Sequence, residues 1–264
     1  SVELVGTYLG DSIKWSNGNI TNNIYVKPTV TSTYVLSAWS GGCVSSDEVV
    51  VSVSSSVTAN AGPDKSICKG NSVTLSANTV VGATYLWSNG MTTKDIVVSP
   101  DDTTDYIVIV RIGNCTAQDT ARVVVYPLPI ANAGIDRTIC QTETVQLIGT
   151  GGVTYQWSTG DINDTIDVMP FTTTTYNLTV TNSYGCSSSD NVVVYVNPMP
   201  TANAGENKVI CVGQSTILSA TGGVTYTWNT TPVQTGSSIT VSPNTTTTYV
   251  VTVKNINNCT ASAS

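Results

Sequence analysis

The sequence predicts an all-β protein, a tandem array of small β-sandwich repeats of about 71 residues each. Three observations predict it. The first is a period. Trp15, Trp87, Trp157 and Trp228 step by 72, 70 and 71 residues; Tyr34, Tyr106, Tyr176 and Tyr249 by 72, 70 and 73; Cys43, Cys115, Cys186 and Cys259 by 72, 71 and 73. Three marker types that stay in phase are the signature of a repeat architecture. The second is alternation of apolar, largely β-branched residues with polar ones, and no helical period. The third is composition. Hydrophobic residues make up 40% and charged residues 10%, too apolar a balance for a disordered chain.

Alignment of the copies divides the chain into a partial repeat over 1–55 lacking its N-terminal strand, complete repeats over 56–127 and 128–198, and a partial repeat over 199–264 with a truncated last strand. Ser1–Gly6 matches Ser72–Ala77, and both ends are expected to fall inside a repeat of a longer array. The joints Tyr126-Pro127-Leu128-Pro129 and Asn197-Pro198-Met199-Pro200 end strands, because proline lacks a ladder donor. Such short proline-containing joints are semi-stiff.

Within residues 56–127 the strand pattern runs in order. Ser72–Ala77, Tyr85–Ser88, Asp95–Ser99, Asp105–Val110 and Thr120–Tyr126 read as half-buried strands, separated by turn clusters such as Lys69-Gly70-Asn71, Ser88-Asn89-Gly90 and Ile112-Gly113-Asn114. Six or seven short strands predict a small immunoglobulin-like sandwich. The tryptophan then sits in the core on a central strand. The tyrosine opening the penultimate strand takes the tyrosine-corner place, with one structural hydrogen bond. The tracts Thr172–Thr175 and Thr245–Thr248 lead into that tyrosine and carry no chemistry.

The seven cysteines fall in two classes. Cys68, Cys140 and Cys211 precede the first clear strand; Cys43, Cys115, Cys186 and Cys259 lie in the turn after the penultimate one. Pairing within repeats gives Cys68–Cys115, Cys140–Cys186 and Cys211–Cys259, with Cys43 left unpaired by truncation. Each bridge would close a loop of nearly fifty residues and stabilise by roughly 4 kcal/mol, which matters in a domain with so thin a core. In a strict immunoglobulin topology, however, the two turns lie at opposite ends of the sandwich, too far apart to bridge. The alternative is a staple between neighbours, Cys68–Cys186 and Cys140–Cys259. Either arrangement implies an oxidising, extracytoplasmic setting.

The remaining chemistry is expected to be sparse. Ten basic against seventeen acidic residues give a net charge of -7, which argues against nucleic-acid binding. No apolar run reaches membrane-spanning length. With no histidine, neither a Ser-His-Asp nor a Cys-His site can form, and zinc sites are disfavoured. No enzyme activity, cofactor or metal is expected. Asp64, Asp136 and Glu206 recur at one junction position and read as turn or surface carboxylates; calcium there would need several more oxygen ligands.

The pattern Ala-Asn-Ala-Gly-x-Asp/Glu-x-x-Ile-Cys, then Val-x-Leu, Tyr-x-Trp, Thr-Thr-Thr-Tyr and Gly/Asn-Cys resembles the tandem PKD-like and immunoglobulin-like repeats of very large secreted surface proteins in Bacteroidota. It is most similar to the stalks of gliding-motility adhesins of the SprB type, exported by type IX secretion. The matching positions are Ala61-Gly62-Pro63-Asp64, Ile67-Cys68, Tyr85, Trp87, Tyr106 and Asn114-Cys115, then Ala133-Gly134-Ile135-Asp136, Ile139-Cys140, Tyr155, Trp157, Tyr176 and Gly185-Cys186. The first repeat departs with Ile13 in place of the tyrosine, and the Trp-Asp-Phe-Gly-Asp motif usual in PKD domains is absent.

The resemblance implies a structural stalk of a large cell-surface adhesin, extracellular, in gliding motility or surface attachment. Its partners would be neighbouring repeats, and surface glycans or other cell-surface proteins. The alternatives are a glycan-binding repeat and the non-catalytic spacer of a secreted hydrolase. For glycan binding the one unusual aromatic is Trp39, whose counterparts counted from the shared tyrosine are Arg111, Thr181 and Lys254. The tripeptides beginning at Asp11, Asp102, Asp119 and Asp164 resemble the Bacteroidota O-glycosylation acceptor and make Ser12, Thr103, Thr120 and Thr165 candidate glycan sites.

Overall fold

The computed structural model describes residues 1–53 and 56–264. The chain forms two compact units, Ser1–Tyr126 and Pro127–Ser264. The expected end of the first repeat at residue 55 lies outside the described residues. The fold is all-β, a series of immunoglobulin-like sandwiches, and no helix occurs among the described residues.

In the first unit, β1 (Val2–Val5), β2 (Ser12–Trp15), β3 (Asn23–Val26), β4 (Ser32–Ser40) and β5 (Cys43–Val51) belong to the first repeat. The second repeat holds β6 (Lys65–Cys68), β7 (Val73–Ser76), β8 (Thr84–Trp87), β9 (Asp95–Val98), β10 (Thr104–Ile112) and β11 (Cys115–Tyr126). Its strands form a four-stranded sheet in the order β6-β11-β10-β8 and a two-stranded sheet β7-β9. Alternation decides which side chains turn inward. Val108 and Val110 of β10 and Ala121 and Val123 of β11 are fully buried, and they meet Leu75 and Ile96 of the facing sheet around Trp87.

The second unit repeats the design. Its third repeat holds β12 (Arg137–Cys140), β13 (Val145–Ile148), β14 (Thr154–Trp157), β15 (Thr165–Val168), β16 (Thr174–Thr181) and β17 (Ser187–Asn197). The fourth holds β18 (Thr216–Ser219), β19 (Thr225–Trp228), β20 (Gln234–Thr235), β21 (Ser238–Val241), β22 (Val251–Lys254) and β23 (Thr260–Ala263). The third repeat orders its strands β12-β17-β16-β14 with β13-β15, as in the second; the fourth has β20-β19-β22-β23 with β18-β21.

Two features differ from the sequence reading. The edge strands β6 and β12 are absent from it, because four residues with one apolar anchor, Ile67 or Ile139, carry no legible alternation. They pair parallel to the last strand, Lys65–Cys68 beside Val123–Tyr126 and Arg137–Cys140 beside Val194–Asn197. Parallel neighbours need a long crossover, here the rest of the repeat. The second difference concerns tyrosine. Tyr106 and Tyr176 are buried in the core, and burial raises the Tyr176 phenol pKa. The structural hydrogen bond is made instead by the tyrosine two residues before the tryptophan: Tyr85 to the Asn78 carbonyl at 2.9 Å, Tyr155 to Gly152 at 3.0 Å and Tyr226 to Gly223 at 2.7 Å. Ile13 replaces it in the first repeat and is buried.

The tryptophans behave as the period implies. Each is buried, and each indole N–H donates to a loop carbonyl: Trp15 to Thr21, Trp87 to Thr93, Trp157 to Asn163 and Trp228 to Gly236, at 2.9–3.1 Å. A buried indole donor left unpaired would cost about 1–3 kcal/mol.

Glycine is required where the joint segment crosses the sandwich. Gly151 has φ +101°, and a Cβ there would overlap the Ile130 carbonyl oxygen, beside the bridge between Asn132 and Thr150. Gly151→Ala is expected to destabilise by about 2 kcal/mol or more, measured by calorimetry. Gly160→Ala, at φ +94° in open space, should cost only the left-handed backbone penalty, about 1 kcal/mol.

Candidate functional site, a stapled joint between repeats

The last strand of each complete repeat runs the height of the sandwich, and it decides where the cysteines can go. Cys68 closes β6 beside Tyr126, whereas Cys115 opens β11 eleven residues earlier. At about 3.3 Å per residue these positions lie roughly 36 Å apart, far beyond the 7 Å limit for a bridge. Cys140 sits beside Asn197 in the same way, with Cys186 just before the far end of β17.

The pairing within repeats is therefore corrected. Cys140 is bonded to Cys259, 119 residues away and in the next repeat, with Cα atoms 5.6 Å apart. This excludes Cys140–Cys186 and Cys211–Cys259, and strand length excludes Cys68–Cys115. Cys68 and Cys186 are also each disulfide-bonded. Cys43 and Cys211 are exposed thiols.

Around the staple, backbone and side chains lock the Pro198–Pro200 joint. The Asn255 amide nitrogen donates to the Pro198 carbonyl at 2.9 Å, while its oxygen accepts from the Asn257 and Cys259 amides at 3.0 Å. The turn that carries the cysteine is thus tied to the entering chain. On the other side, the Gln141 amide donates to the Asn197 carbonyl at 3.0 Å, and its side-chain oxygen accepts from the Met199 amide at 3.3 Å. Glu143 accepts from the Cys140 amide at 2.8 Å. Cys259 is 1% exposed, which shields the bridge from reductants.

The same turn recurs at the entry of the third repeat. Asn182 donates to the Pro127 carbonyl at 2.9 Å and accepts from the Tyr184 and Cys186 amides. Asn182, Asn255 and Gln141 escaped the sequence reading. The legible signal was an asparagine four residues before the cysteine, at Asn182–Cys186 and Asn255–Cys259, in the two repeats entered through Pro-x-Pro. Trp39 and Arg111 occupy that place in the repeats with shorter turns.

Two of the three junction carboxylates, Asp64 and Asp136, are engaged by backbone. Asp64 accepts from the Arg122 amide at 2.8 Å and Asp136 from the Val193 amide at 2.9 Å. Asp119 and Asp190 accept from the Ala61 and Ala133 amides at 2.8 and 2.9 Å. These bonds clamp the segment before the edge strand to the last strand. Glu206 shows no such bond among the described residues.

The candidate glycan acceptors are scattered. Ser12, Thr103 and Thr120 are exposed and Thr165 half-buried. The Thr103 hydroxyl accepts from the Val125 amide at 3.1 Å, as Thr31 and Thr173 do from Val53 and Val196, so it has a structural task. Trp39 is 37% exposed. With Lys14, Val35 and Ser37 it lines a shallow cavity of about 220 Å³ on the first repeat.

No family model and no curated protein matches the chain. Among solved structures it is similar to three titin immunoglobulin domains, I67–I69, with 11% identity, TM-score 0.37, and coverage of 76% of this chain and 93% of that one. It is similar to the N-terminal eight immunoglobulin domains of Down syndrome cell adhesion molecule, with 14% identity, TM-score 0.36, and coverage of 97% and 40%. Sidekick-1 immunoglobulin domains 1–5 align at 13% identity and TM-score 0.28, covering 99% and 75%. The likeness is one of fold.

Two outcomes are expected. Non-reducing peptide mapping should recover a Cys140–Cys259 peptide, and Cys140→Ser should lower stability by about 5 kcal/mol in the chain-entropy account. Asp190→Ala, which orphans the Ala133 amide, should cost about 1–3 kcal/mol by denaturant unfolding, with no change on adding or chelating calcium.

Proposed function

We propose that the chain is a load-bearing stalk segment of a large extracellular, cell-surface adhesin, without catalytic activity of its own. The observation that carries this reading is the staple from Cys140 to Cys259. A disulfide confined to one repeat leaves the joint to yield first. A disulfide across the joint makes two consecutive repeats one covalent loop, and force applied at the ends bypasses the 119-residue span that it closes. Asn255 and Gln141 add hydrogen bonds that hold the Pro198–Pro200 joint in place. Disulfides belong to oxidising compartments, which supports an extracellular location. The repeat pattern further supports a place among Bacteroidota surface adhesins of the gliding type, exported by type IX secretion.

Single-molecule stretching of Pro127–Ser264 tests the mechanical claim. Under oxidising conditions the span between Cys140 and Cys259 should stay hidden. Reduction should release roughly 400 Å of contour, at about 3.5 Å per residue. On cells, Cys140→Ser with Cys259→Ser should leave the protein at the surface and weaken attachment under shear. Unchanged attachment would count against a stalk.

The exposed Trp39 favours a second reading, in which the outer face of the first repeat binds glycans, with the indole as a stacking surface beside Lys14. Glycan-array binding that is lost in Trp39→Ala would support it; no binding by the native chain would remove it.

A further inference from the structure

The outer face of the larger sheet in the second repeat is unlike that of the third and fourth. On β10 the outward residues are Asp105, Ile107, Ile109 and Arg111, at alternate positions of one strand. Ile109 lies opposite Leu86 of β8, and Leu86 and Ile107 are 48% and 38% exposed. Three branched apolar side chains thus share a solvent-facing sheet. The fold does not ask for them. In the places of Leu86, Ile107 and Ile109 the third repeat has Gln156, Asn177 and Thr179, and the fourth has Thr227, Val250 and Thr252. There hydroxyls bond across the strands instead, Thr179 with Ser189 at 2.9 Å and Thr252 with Ser262 at 3.2 Å. Scattered apolar side chains on a surface need no reason, but a contiguous strip with a polar rim marks a contact.

Charge decides what can sit on the strip. The row Asp105, Ile107, Ile109, Arg111 is acidic at one end, basic at the other and apolar between. Turned end for end, it is its own complement. A two-fold axis lying in the contact plane, across the strands and level with Val108, sets Ile107 over Ile109 and Asp105 over Arg111, each twice. Facing sheets align within about 30°, so the central strand keeps this match. The net charge of -7 opposes association of whole chains, but this face is not acidic. Asp105 is met by Arg122 at 3.6 Å, and Arg111 makes no ion pair among the described residues.

We propose that this face is a homotypic docking surface, on which a second copy of the chain packs with its β10 antiparallel over β10. The pairing is isologous, the same patch meeting itself. The strip is narrow, so the contact falls at the low end of specific interfaces, below about 1,200 Å². Association is accordingly weak and depends on concentration. The inference rests on the register of one sheet and is independent of the stalk reading.

The test is sedimentation of the full chain, with its exposed thiols alkylated so that no new disulfide joins two copies. The native chain should rise reversibly from one chain toward two as its concentration increases. Asp105→Arg alone, or Arg111→Asp alone, sets like charges against each other at both ends of the contact and should weaken association at least about tenfold. An equimolar mixture of these two variants should recover it, because each then offers the other the opposite charge at both ends. Misfolded chains would not recover on mixing, so this arm separates docking from folding. Ile109→Thr, which copies Thr179 of the third repeat, should also weaken association. A native chain that stays monomeric to about 1 mM, a mixture no stronger than its parts, or association unchanged in any of the three variants overturns the proposal.

Discussion

Strand length is the constraint on which the rest of this protein depends. The strands β11 and β17 run 12 and 11 residues, enough to span the sandwich from one pole to the other. Each holds one end of the repeat's hydrogen-bonded edge beside a cysteine and opens at, or one residue after, another. Rigid pleated backbone keeps those sulfurs tens of ångströms apart, so neither can serve its own repeat. The bridge between Cys140 and Cys259 is the geometric result. A covalent link that stabilises one domain in isolated sandwiches here fastens one domain to the next.

The small core makes that fastening valuable. Each repeat gathers roughly a dozen buried side chains or fewer around a single tryptophan, which is thin for an independent domain. Polar groups are handled economically. The indole donors, the tyrosine hydroxyls two residues upstream, and the junction carboxylates of Asp64 and Asp136 end on backbone groups of the same repeat. Among the described residues no buried side-chain polar atom lacks a partner. The charged residues are few, and two surface ion pairs on the second repeat, Lys94–Asp95 and Arg122–Asp105, contribute little at such exposure. Hydrogen bonds to backbone, not ion pairs, give each repeat its definition.

The joint shows how a turn can be specialised without changing the fold. The second repeat closes its last hairpin through Gly113 and Asn114, with Ile112 opposite Cys115. The third and fourth use a longer turn opened by Asn182 or Asn255, whose amide reaches back to the incoming proline carbonyl. One asparagine therefore couples three things: the conformation of the turn, the position of the cysteine and the path of the linker. The shear resistance proposed for the chain and its local turn chemistry are the same feature at two scales.

The sequence by itself determined the period, the all-β class, the alternation that sends Val108, Val110, Leu178 and Val180 inward, and the core place of the four tryptophans. These are local or periodic properties, written in residue type and spacing. It left the cysteine partners open, because pairing depends on distances between chain segments and not on counts. It also missed β6 and β12, whose few residues become strands only because β11 and β17 offer a free edge. The hydrogen bond expected of Tyr106 passed to Tyr85 for a similar reason: the two hydroxyls differ in which loop lies within reach. What the tertiary structure decided, in each case, was which distant backbone came near enough to bond.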